Sequence, residues 1–240
     1  MVFFQIVFFL VLWSVSPFAL LPKPEEVLSS FSDLWQQGLA GELITSFYLN
    51  VQAILCATLI SLSLGYLAVI PFFRPLIHVF SKLRFLSLVG LSFFFTIMAT
   101  GGHELKLSLL TFSVSVFFVT SMADVLDSIP KEQFDLARTL RMGEWRVLWE
   151  VVILGQLDRA FDVLRQNAAI GWMMLTMVES TVKSEGGIGS MLMDQNHHFH
   201  ISAVFAIQLT ILILGLFQDY VLGFLKELAC PYAALTLERK

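Results

Sequence analysis

The fold of this chain is decided by residues 124–165, which read DVLDSIPKEQFDLARTLRMGEWRVLWEVVILGQLDRAFDVLR. This stretch holds 14 of the 34 charged residues of the chain, whereas the segments on both sides of it are apolar. A charged, helix-forming stretch between two apolar runs is typical of a loop that lies outside a membrane and joins two spans. We therefore expect residues 124–165 to be the segment through which a protein outside the membrane contacts the membrane-embedded helices of this chain.

The composition of the whole chain indicates a membrane protein. Hydrophobic residues make up 57% of the 240 residues and charged residues only 14%, and the mean hydropathy is +0.77. A soluble domain carries roughly 25% charged residues. Cys56 and Cys230 are the only cysteines and lie far apart, so they predict neither a disulfide framework nor a metal site.

Six charge-poor segments have about the length that a helix needs to cross the hydrocarbon core, roughly 20 residues. They are residues 2–21, 46–71, 85–101, 106–123, 166–183 and 201–223. The first segment lacks the basic start and the small-residue cleavage site of a signal peptide, so we expect it to be retained as a helix. The predicted fold class is therefore all-α, a polytopic membrane protein with about six transmembrane helices in a single domain over residues 1–240.

Lysine and arginine indicate the orientation of the spans. If the N-terminus is cytoplasmic, the cytoplasmic side holds 12 of the 15 basic residues, and the other side keeps Lys23, Lys106 and Lys183. Both termini and residues 124–165 are therefore expected in the cytoplasm. An arrangement of five spans, without the first segment, places residues 124–165 on the same side.

Within this loop, the apolar periodicity predicts two short helices. Ser128 suits the N-cap of the first helix, and Pro130 suits its first turn. The period is interrupted between Arg141 and Gly143 and starts again at Trp145. The residues alone leave two interpretations open: a knob that contacts a cytoplasmic protein, or an amphipathic hairpin that lies on anionic lipid.

Residues 135–146 resemble the cytoplasmic loop of the permeases of binding-protein-dependent ABC transporters. In that family the loop contains a Glu-Ala-Ala triplet, three further residues and a glycine. Here Asp135 stands for the glutamate and Ala137 for the second alanine. Arg141 takes the usual place of the glycine, and Gly143 follows two residues later.

Two other segments are similar to the sulfonate, nitrate and taurine branch of these permeases. One is residues 21–28, after the first span, and the other is residues 187–189, which read Gly-Ile-Gly before the last span. The similarity extends over nearly the whole chain, with the permease core at about residues 42–226. The third span departs from the family, in which it is usually rich in proline, because residues 84–100 contain no proline.

The resemblance implies the MetI-like fold of an inner-membrane permease in a bacterial cell, surrounded by membrane lipid. It also implies three protein partners. A second permease copy, most simply an identical one, lines a common path; two copies of a cytoplasmic ATP-binding subunit drive the cycle; and an extracytoplasmic binding protein delivers the solute. The solute would be a small anion such as sulfonate, nitrate or taurine, and no cofactor, metal or nucleic acid is implied.

In this family the cytoplasmic loop docks into a cleft of the ATPase, so the resemblance assigns the coupling role to nine loop residues. They are Asp135, Ala137, Arg138, Leu140, Arg141, Met142, Gly143, Glu144 and Trp145. The chain contains no G-x-x-x-x-G-K-[ST] motif, so we expect a transport subunit, not an enzyme, whose energy comes from another chain.

Three polar residues of the fifth span are candidates for the solute path: Gln166, Asn167 and Glu179. The amides of Gln166 and Asn167 are better explained by hydrogen bonds between helices. A carboxylate inside a span usually faces a cavity or a partner. For Glu179, however, we favour a position near the outer interface, paired with Lys183, over a role in the path.

The loop before the last span does not indicate a metal site. His197, His198 and His200 have only Asp194 as a nearby carboxylate, so we interpret them as a solvated loop or as a contact for the binding protein. The glycines of residues 186–189 are expected to form a tight re-entrant turn where two backbones approach closely.

A second function agrees with the same residues: a degenerate copy that completes a heterodimer without transporting. The arginine at the family's glycine position and the proline-free third span favour it. Such a scaffold would keep the fold and lose the path, and a purified homodimer that transports with its ATPase would exclude it.

Reporters fused into the chain test the predicted orientation. A reporter fused after Glu144 is expected to behave as cytoplasmic, because the basic residues keep residues 124–165 on that side. A reporter fused after Asn196 is expected to behave as external. Paired alkaline phosphatase and green fluorescent protein fusions distinguish the two sides, and a fluorescent, phosphatase-negative fusion after Asn196 would contradict the orientation.

Overall fold

A computed structural model gives the structure of the chain and describes Gln5, Trp13, residues 22–67 and residues 74–231. These residues are helical apart from short connections, and they contain no strand. The expected all-α class is therefore confirmed. The first expected span, residues 2–21, lies outside the described residues except for Gln5 and Trp13.

Ten α-helices lie in the described residues 22–67 and 74–231. They are α1 (Pro24–Gln36), α2 (Leu39–Leu67), α3 (Arg74–Lys82), α4 (Leu88–Met98), α5 (Gly102–Asp127), α6 (Lys131–Thr139), α7 (Glu144–Val147), α8 (Leu157–Thr181), α9 (Ile188–His197) and α10 (Ile201–Ala229). Short 3-10 turns at Leu83–Phe85 and Lys183–Glu185 precede α4 and α9, and a π-helix at Leu148–Leu154 follows α7.

Helices α5 and α8 are antiparallel along their whole length, as contacts at both ends show. Arg159, near the start of α8, donates a hydrogen bond of 2.8 Å to Ser128 Oγ at the end of α5. Lys106, near the start of α5, donates a hydrogen bond of 2.7 Å to the carbonyl of Gly186, which follows α8. We call these two ends of the bundle the loop end, near Ser128, and the turn end, near Gly186.

Helices α2 and α10 run in the same direction as α5. Ser46, near the start of α2, bonds Glu179 at the turn end, whereas a Cβ on Gly65 would lie 3.5 Å from Met122, near the end of α5. Lys226, near the end of α10, pairs with Asp162 near the start of α8 at 2.6 Å. The core is therefore a bundle of four long helices in which α8 alone runs from the loop end to the turn end.

The chain must return from the loop end, where α2 ends, to the turn end, where α5 begins, and it does so through α3 and α4. The expected third span, residues 85–101, is not one continuous helix. Helix α4 has 11 residues, about half of the roughly 20 that a straight span needs. The segments Val79–Phe85 and Leu88–Met98 meet at 110°, because the backbone is extended at Leu86 and Ser87.

Within the described residues, three helices are long and apolar enough to cross a membrane: α2, α5 and α10; the bent pair counts as a fourth span if it is taken as one. These confirm the second, fourth and sixth expected spans, with bounds that differ by several residues. Helix α8 starts at Leu157, before the expected start at residue 166. It has 25 residues, slightly fewer than the other three, and it carries Asp158, Arg159, Asp162, Arg165 and Glu179, so it does not reach the same apolarity.

Small residues let the central helices approach closely. Ala53 and Ala57 of α2 are fully buried in a cluster with Leu110 of α5 and Leu175 of α8. A few residues along, Gly171 of α8 faces Asn50 of α2. In a membrane, van der Waals packing of this kind is a main source of helix association.

The substitution Gly171→Val tests the close approach of α2 and α8. A Cβ on Gly171 would lie 3.0 Å from Asn50 Oδ1 and 3.6 Å from the Ile54 side chain. Overpacking usually costs about 1–3 kcal/mol, so we expect a lower thermal unfolding midpoint in detergent. Gly90→Val is the control, since a Cβ on Gly90 of α4 meets nothing within 4 Å. Equal midpoints for the two variants would contradict this packing.

Candidate functional site

The polar loop, which we define as residues 128–156, folds into two short helices separated by a sharp bend, as expected. Arg141 has a φ of +52°, and the N–H of Met142 reaches back to the carbonyl of Ala137 at 3.1 Å. This is the geometry of a helix end closed by a left-handed residue, a position that usually holds glycine. The position at which the resembling family has its glycine is therefore the position where the backbone bends.

The start of the loop differs from the expectation in one respect. Ser128 was predicted as the N-cap of α6 but instead ends α5, where its hydroxyl donates to the carbonyl of Val125 at 2.7 Å. The residue that caps α6 is Pro130, which has an extended ψ of 138°. The hydroxyl of Ser128 also accepts the bond from Arg159, so it joins the ends of α5 and α8.

The loop exposes large apolar side chains. Trp145 is 83% exposed, and Leu136, Leu140 and Trp149 are exposed as well. Within the helical segments of the loop, only Ala137 and Val152 are buried, one on each side of the bend. Exposed apolar groups of this size on a loop between spans are typical of a surface that another molecule covers.

The charges of the loop are balanced. Four basic and four acidic residues lie between residues 128 and 156. Arg138 pairs with Asp135 at 3.2 Å, and Arg146 pairs with Glu150 at 2.7 Å, a hydrogen bond that raises the pKa of Arg146 above its usual value. Helices that lie on anionic lipid carry an excess of lysine and arginine. A neutral loop lacks that attraction, which favours a protein partner over the lipid surface.

The residues expected to couple to an ATPase lie mostly at the surface. Ala137 is buried and Met142 is half-buried; the other seven are exposed, namely Asp135, Arg138, Leu140, Arg141, Gly143, Glu144 and Trp145. Sequence reasoning left out the exposed Leu136 and Trp149. Leu136 lies four residues before Leu140, and Trp149 lies four residues after Trp145; this helical spacing was the signal that could have found them.

One face of α8 contacts no other part of the described chain closely enough to be covered. Gln166, Ala169, Met173 and Met177 are exposed on it. Their spacing of three and four residues places them on one side of the helix. This side is polar toward the loop end, where Gln166 lies near Asp162 and Arg165, and apolar further along, at Ala169, Met173 and Met177.

A groove of about 560 Å³ runs beside this face, between α8 and α10. Gln218 lies at its centre, where its Oε1 accepts hydrogen bonds from Trp172 Nε1 at 2.8 Å and from Asn50 Nδ2 at 3.1 Å. At the loop end of the groove, the guanidinium of Arg165 donates two bonds to Asp219, of 2.9 and 2.6 Å. Sequence reasoning missed this polar group, because its members lie on three different helices.

The three residues predicted for the solute path have different surroundings. Gln166 is exposed on the free face of α8. Asn167 is buried, and its Nδ2 donates to the carbonyl of Val163 within the same helix at 2.8 Å. Glu179 is 1% exposed. The expected pair of Glu179 with Lys183 was wrong, because Lys183 bonds Asp194 at 2.6 Å and lowers the pKa of that carboxyl.

The partners of Glu179 are Ser46 of α2 and a residue of the glycine turn, which we define as residues 186–189. Its Oε2 accepts from the N–H of Gly189 at 2.8 Å, and its Oε1 accepts from the hydroxyl of Ser46 at 2.7 Å. That hydroxyl in turn accepts from the N–H of Ile188 at 2.8 Å. The N–H of Gly187 donates to the carboxylate of Glu42.

The expected tight turn and close approach are confirmed at the glycines. Gly186 and Gly187 have φ angles of +69° and +106°, which side-chain-bearing residues rarely adopt. A Cβ on Gly189 would lie 2.5 Å from the carbonyl oxygen of Thr176 in α8. The turn therefore seats directly on the end of α8, and α9 follows it.

The histidines lie between α9 and α10 and bond to their neighbours. His198 Nδ1 lies 2.7 Å from the carbonyl oxygen of Asp194, and His200 Nδ1 lies 2.9 Å from Gln195 Oε1. Among the residues that the structure describes, no group of three histidine, cysteine, aspartate or glutamate side chains could hold a metal ion. The segment is exposed, as expected of a solvated connection.

Comparison with known proteins finds relatives among transport proteins. The sequence matches no family model. It is 23% identical over 126 residues to the bicarbonate transport system permease protein CmpB of Synechocystis sp.. The aligned segment covers 50% of this chain and 45% of the relative. It is 25% identical over 122 residues to the protein of the same name from Synechococcus elongatus. That aligned segment covers 48% of this chain and 44% of the relative.

The chain thus matches a little less than half the length of these curated relatives. The similarity of the chain to these permeases and its own long apolar helices both indicate a multi-pass helical membrane protein. These relatives do not support the expected assignment to the sulfonate, nitrate and taurine branch, since they are named as bicarbonate permeases.

The substitution Gln218→Leu tests the polar centre of the groove. It removes the acceptor of Asn50 and Trp172, and leaving a buried donor unpaired costs about 1–3 kcal/mol. We expect a lower unfolding midpoint in detergent and a change in tryptophan fluorescence. Gln208→Leu, an exposed glutamine of the same helix and groove, is the control. The hydrogen-bonded centre is refuted by a Gln218→Leu protein that is as stable as Gln208→Leu.

Proposed function

We propose that this chain is the permease subunit of an ABC-type importer for a small anion and that it couples to a separate ATPase through the polar loop. The observation that carries the proposal is the bend around Arg141, which exposes Trp145 on a charge-balanced surface between two spans. The curated relatives, which are named permeases of bicarbonate transport systems, support the transport role. The resemblance of residues 135–146 to the ABC-permease loop supports the coupling role.

The proposed orientation puts the polar loop in the cytoplasm and the glycine turn outside, in the inner membrane of a bacterial cell. The distribution of lysine and arginine supports it. In this orientation the histidine-rich connection between α9 and α10 faces the external solution. It is then accessible to a solute-binding protein, which the importer architecture requires.

A second copy of the chain is proposed to cover the free face of α8. At the loop end of this face, the exposed amide of Gln166 and the nearby charges of Asp162 and Arg165 make contact with lipid tails costly. Two copies that meet along α8 would place Gln166 of each beside a common path. Asn167 and Glu179 would then not line the path. Asn167 bonds within α8, and Glu179 bonds α8 to its neighbours.

The solute is proposed to be a small oxyanion. Bicarbonate is the solute in the names of the relatives, and sulfonate, nitrate and taurine belong to the branch that the sequence resembles. All of these carry a compact negative group. The extracytoplasmic binding protein would select among them.

One observation bears on the alternative of a degenerate scaffold. Arg141 replaces the usual glycine yet adopts the left-handed conformation that the bend needs. A left-handed arginine costs roughly 1–2 kcal/mol relative to glycine. Retention of the bend despite this cost supports a working loop.

Substitutions in the bend test the coupling role. Gly143→Asp and Trp145→Asp each place a charge on the proposed docking surface, so we expect loss of solute-stimulated ATP hydrolysis in the assembled complex. A Cβ on Gly143 meets nothing within 4 Å, and Trp145 is exposed, so membrane insertion should be unaffected. The measurement is the ATPase rate in proteoliposomes with and without the loaded binding protein.

A charge introduced elsewhere is the control for this experiment. Gln36→Glu adds the same charge at an exposed position at the end of α1, outside the connection between α9 and α10. It should leave the stimulated rate near that of the unsubstituted chain. If stimulation survives in both Gly143→Asp and Trp145→Asp, the polar loop does not dock on the ATPase.

A further inference from the structure

The start of α9 is held by side chains from outside its own segment. In most helices a residue next to the first turn satisfies the first free N–H groups. Here the N–H groups of Gly187, Ile188 and Gly189 bond Glu42, Ser46 and Glu179 in turn. Glu42 and Ser46 belong to α2 and Glu179 belongs to α8. The position of α9 therefore depends on how α2 and α8 sit relative to each other.

Two of these three acceptors are carboxylates, so their bonds are stronger than those of uncharged capping side chains. They also depend on the position of α8 relative to the turn. Carboxylates favour the positive end of a helix. Lys106 is the basic group beside them, but its Nζ bonds the carbonyl of Gly186 instead of a carboxylate. Burial of a carboxylate is costly unless its bonds are complete. A shift of α8 that breaks the bonds of Glu179 would therefore also destabilise the seated turn.

The glycine turn fits against the end of α8 only because it lacks side chains at three positions. Gly186 and Gly187 adopt left-handed φ angles, and Gly189 leaves no room for a Cβ against Thr176. Within the turn, Ile188 is fully buried against α1 and the starts of α2 and α10. Release of the turn would expose Ile188 to solvent at the turn end.

Helix α8 connects this seat to the polar loop without a break. It has 25 residues, which corresponds to about 37 Å at roughly 1.5 Å per residue. Its first residue, Leu157, follows the polar loop directly, and Glu179 lies in its last turn. A movement of the loop is therefore transmitted along one rigid element to the contacts of Glu179.

We infer that Glu179 is a latch residue, which with Ser46 and Glu42 holds the glycine turn and α9 closed over the turn end of the bundle. Movement of α8 releases the latch. That the movement originates in an ATPase docked on the polar loop rests on the function proposed above. The latch itself does not depend on that function.

Accessibility of residue 188 to a thiol reagent tests the latch in the purified chain. Ile188→Cys is made in a Cys56→Ser, Cys230→Ser background and treated with a membrane-impermeant maleimide. We expect slow labelling in this protein and a rate at least about tenfold higher when Glu179→Gln is added, since the loss of one bond to a charged acceptor changes an equilibrium by about that factor. Ser46→Ala removes the hydroxyl that bridges Glu179 and Ile188 and should act in the same direction.

Glu185→Gln is the matched control, because Glu185 is an exposed carboxylate beside the turn. It should leave the labelling rate unchanged. Equal rates for Glu185→Gln, Glu179→Gln and Ser46→Ala would overturn the latch. The Ser46→Ala arm decides the matter if Glu179→Gln does not insert into the membrane.

The assembled complex separates the latch from the proposed coupling. Addition of ATP should raise the labelling of Ile188→Cys, and Gly143→Asp should abolish that rise without changing the rate before ATP. A rise that persists in Gly143→Asp would show that the latch is not driven from the polar loop. That result would leave the labelling difference of Glu179→Gln in the isolated chain intact, so the two failures are distinguishable.

Discussion

The structure depends on the complete hydrogen bonding of one buried carboxylate, that of Glu179. Ser46 and Gly189 bond its two oxygens, so α2, α8 and the glycine turn meet at this side chain. A carboxylate that is buried away from water is costly unless its oxygens are hydrogen-bonded. These bonds offset that cost, and they fix the turn end of the bundle. At the loop end, the pairs of Arg165 with Asp219 and of Lys226 with Asp162 hold α8 to α10.

Helix α8 is therefore anchored at both ends and free along one face. The outer surface of α10 carries large apolar side chains that suit lipid, among them Leu209, Ile213 and Phe217. The free face of α8 presents Gln166 and Ala169 beside charged neighbours. This contrast is the physical basis for placing lipid against α10 and a second protein copy against α8.

The sequence was sufficient for the features that depend on local pattern. Apolar length predicted α2, α5 and α10, and the interrupted period predicted the bend at Arg141. Features that depend on distant partners were not predictable. The bonds of Glu179 join residues 133 positions apart in the sequence, so the nearby Lys183 was the wrong choice of partner. The break in the third span depends on extended backbone at Leu86 and Ser87, and neither residue type signals a bend.

The central claim is that the polar loop binds a protein and not the lipid surface. Hydrogen–deuterium exchange of residues 131–154 in nanodiscs tests it most directly, with and without the ATPase subunit and with neutral or anionic lipid. The account predicts that the amides around Arg141 and Trp145 become protected when the ATPase is added and exchange equally fast in both lipids without it. The same protection in phosphatidylglycerol nanodiscs that lack the ATPase would contradict the account.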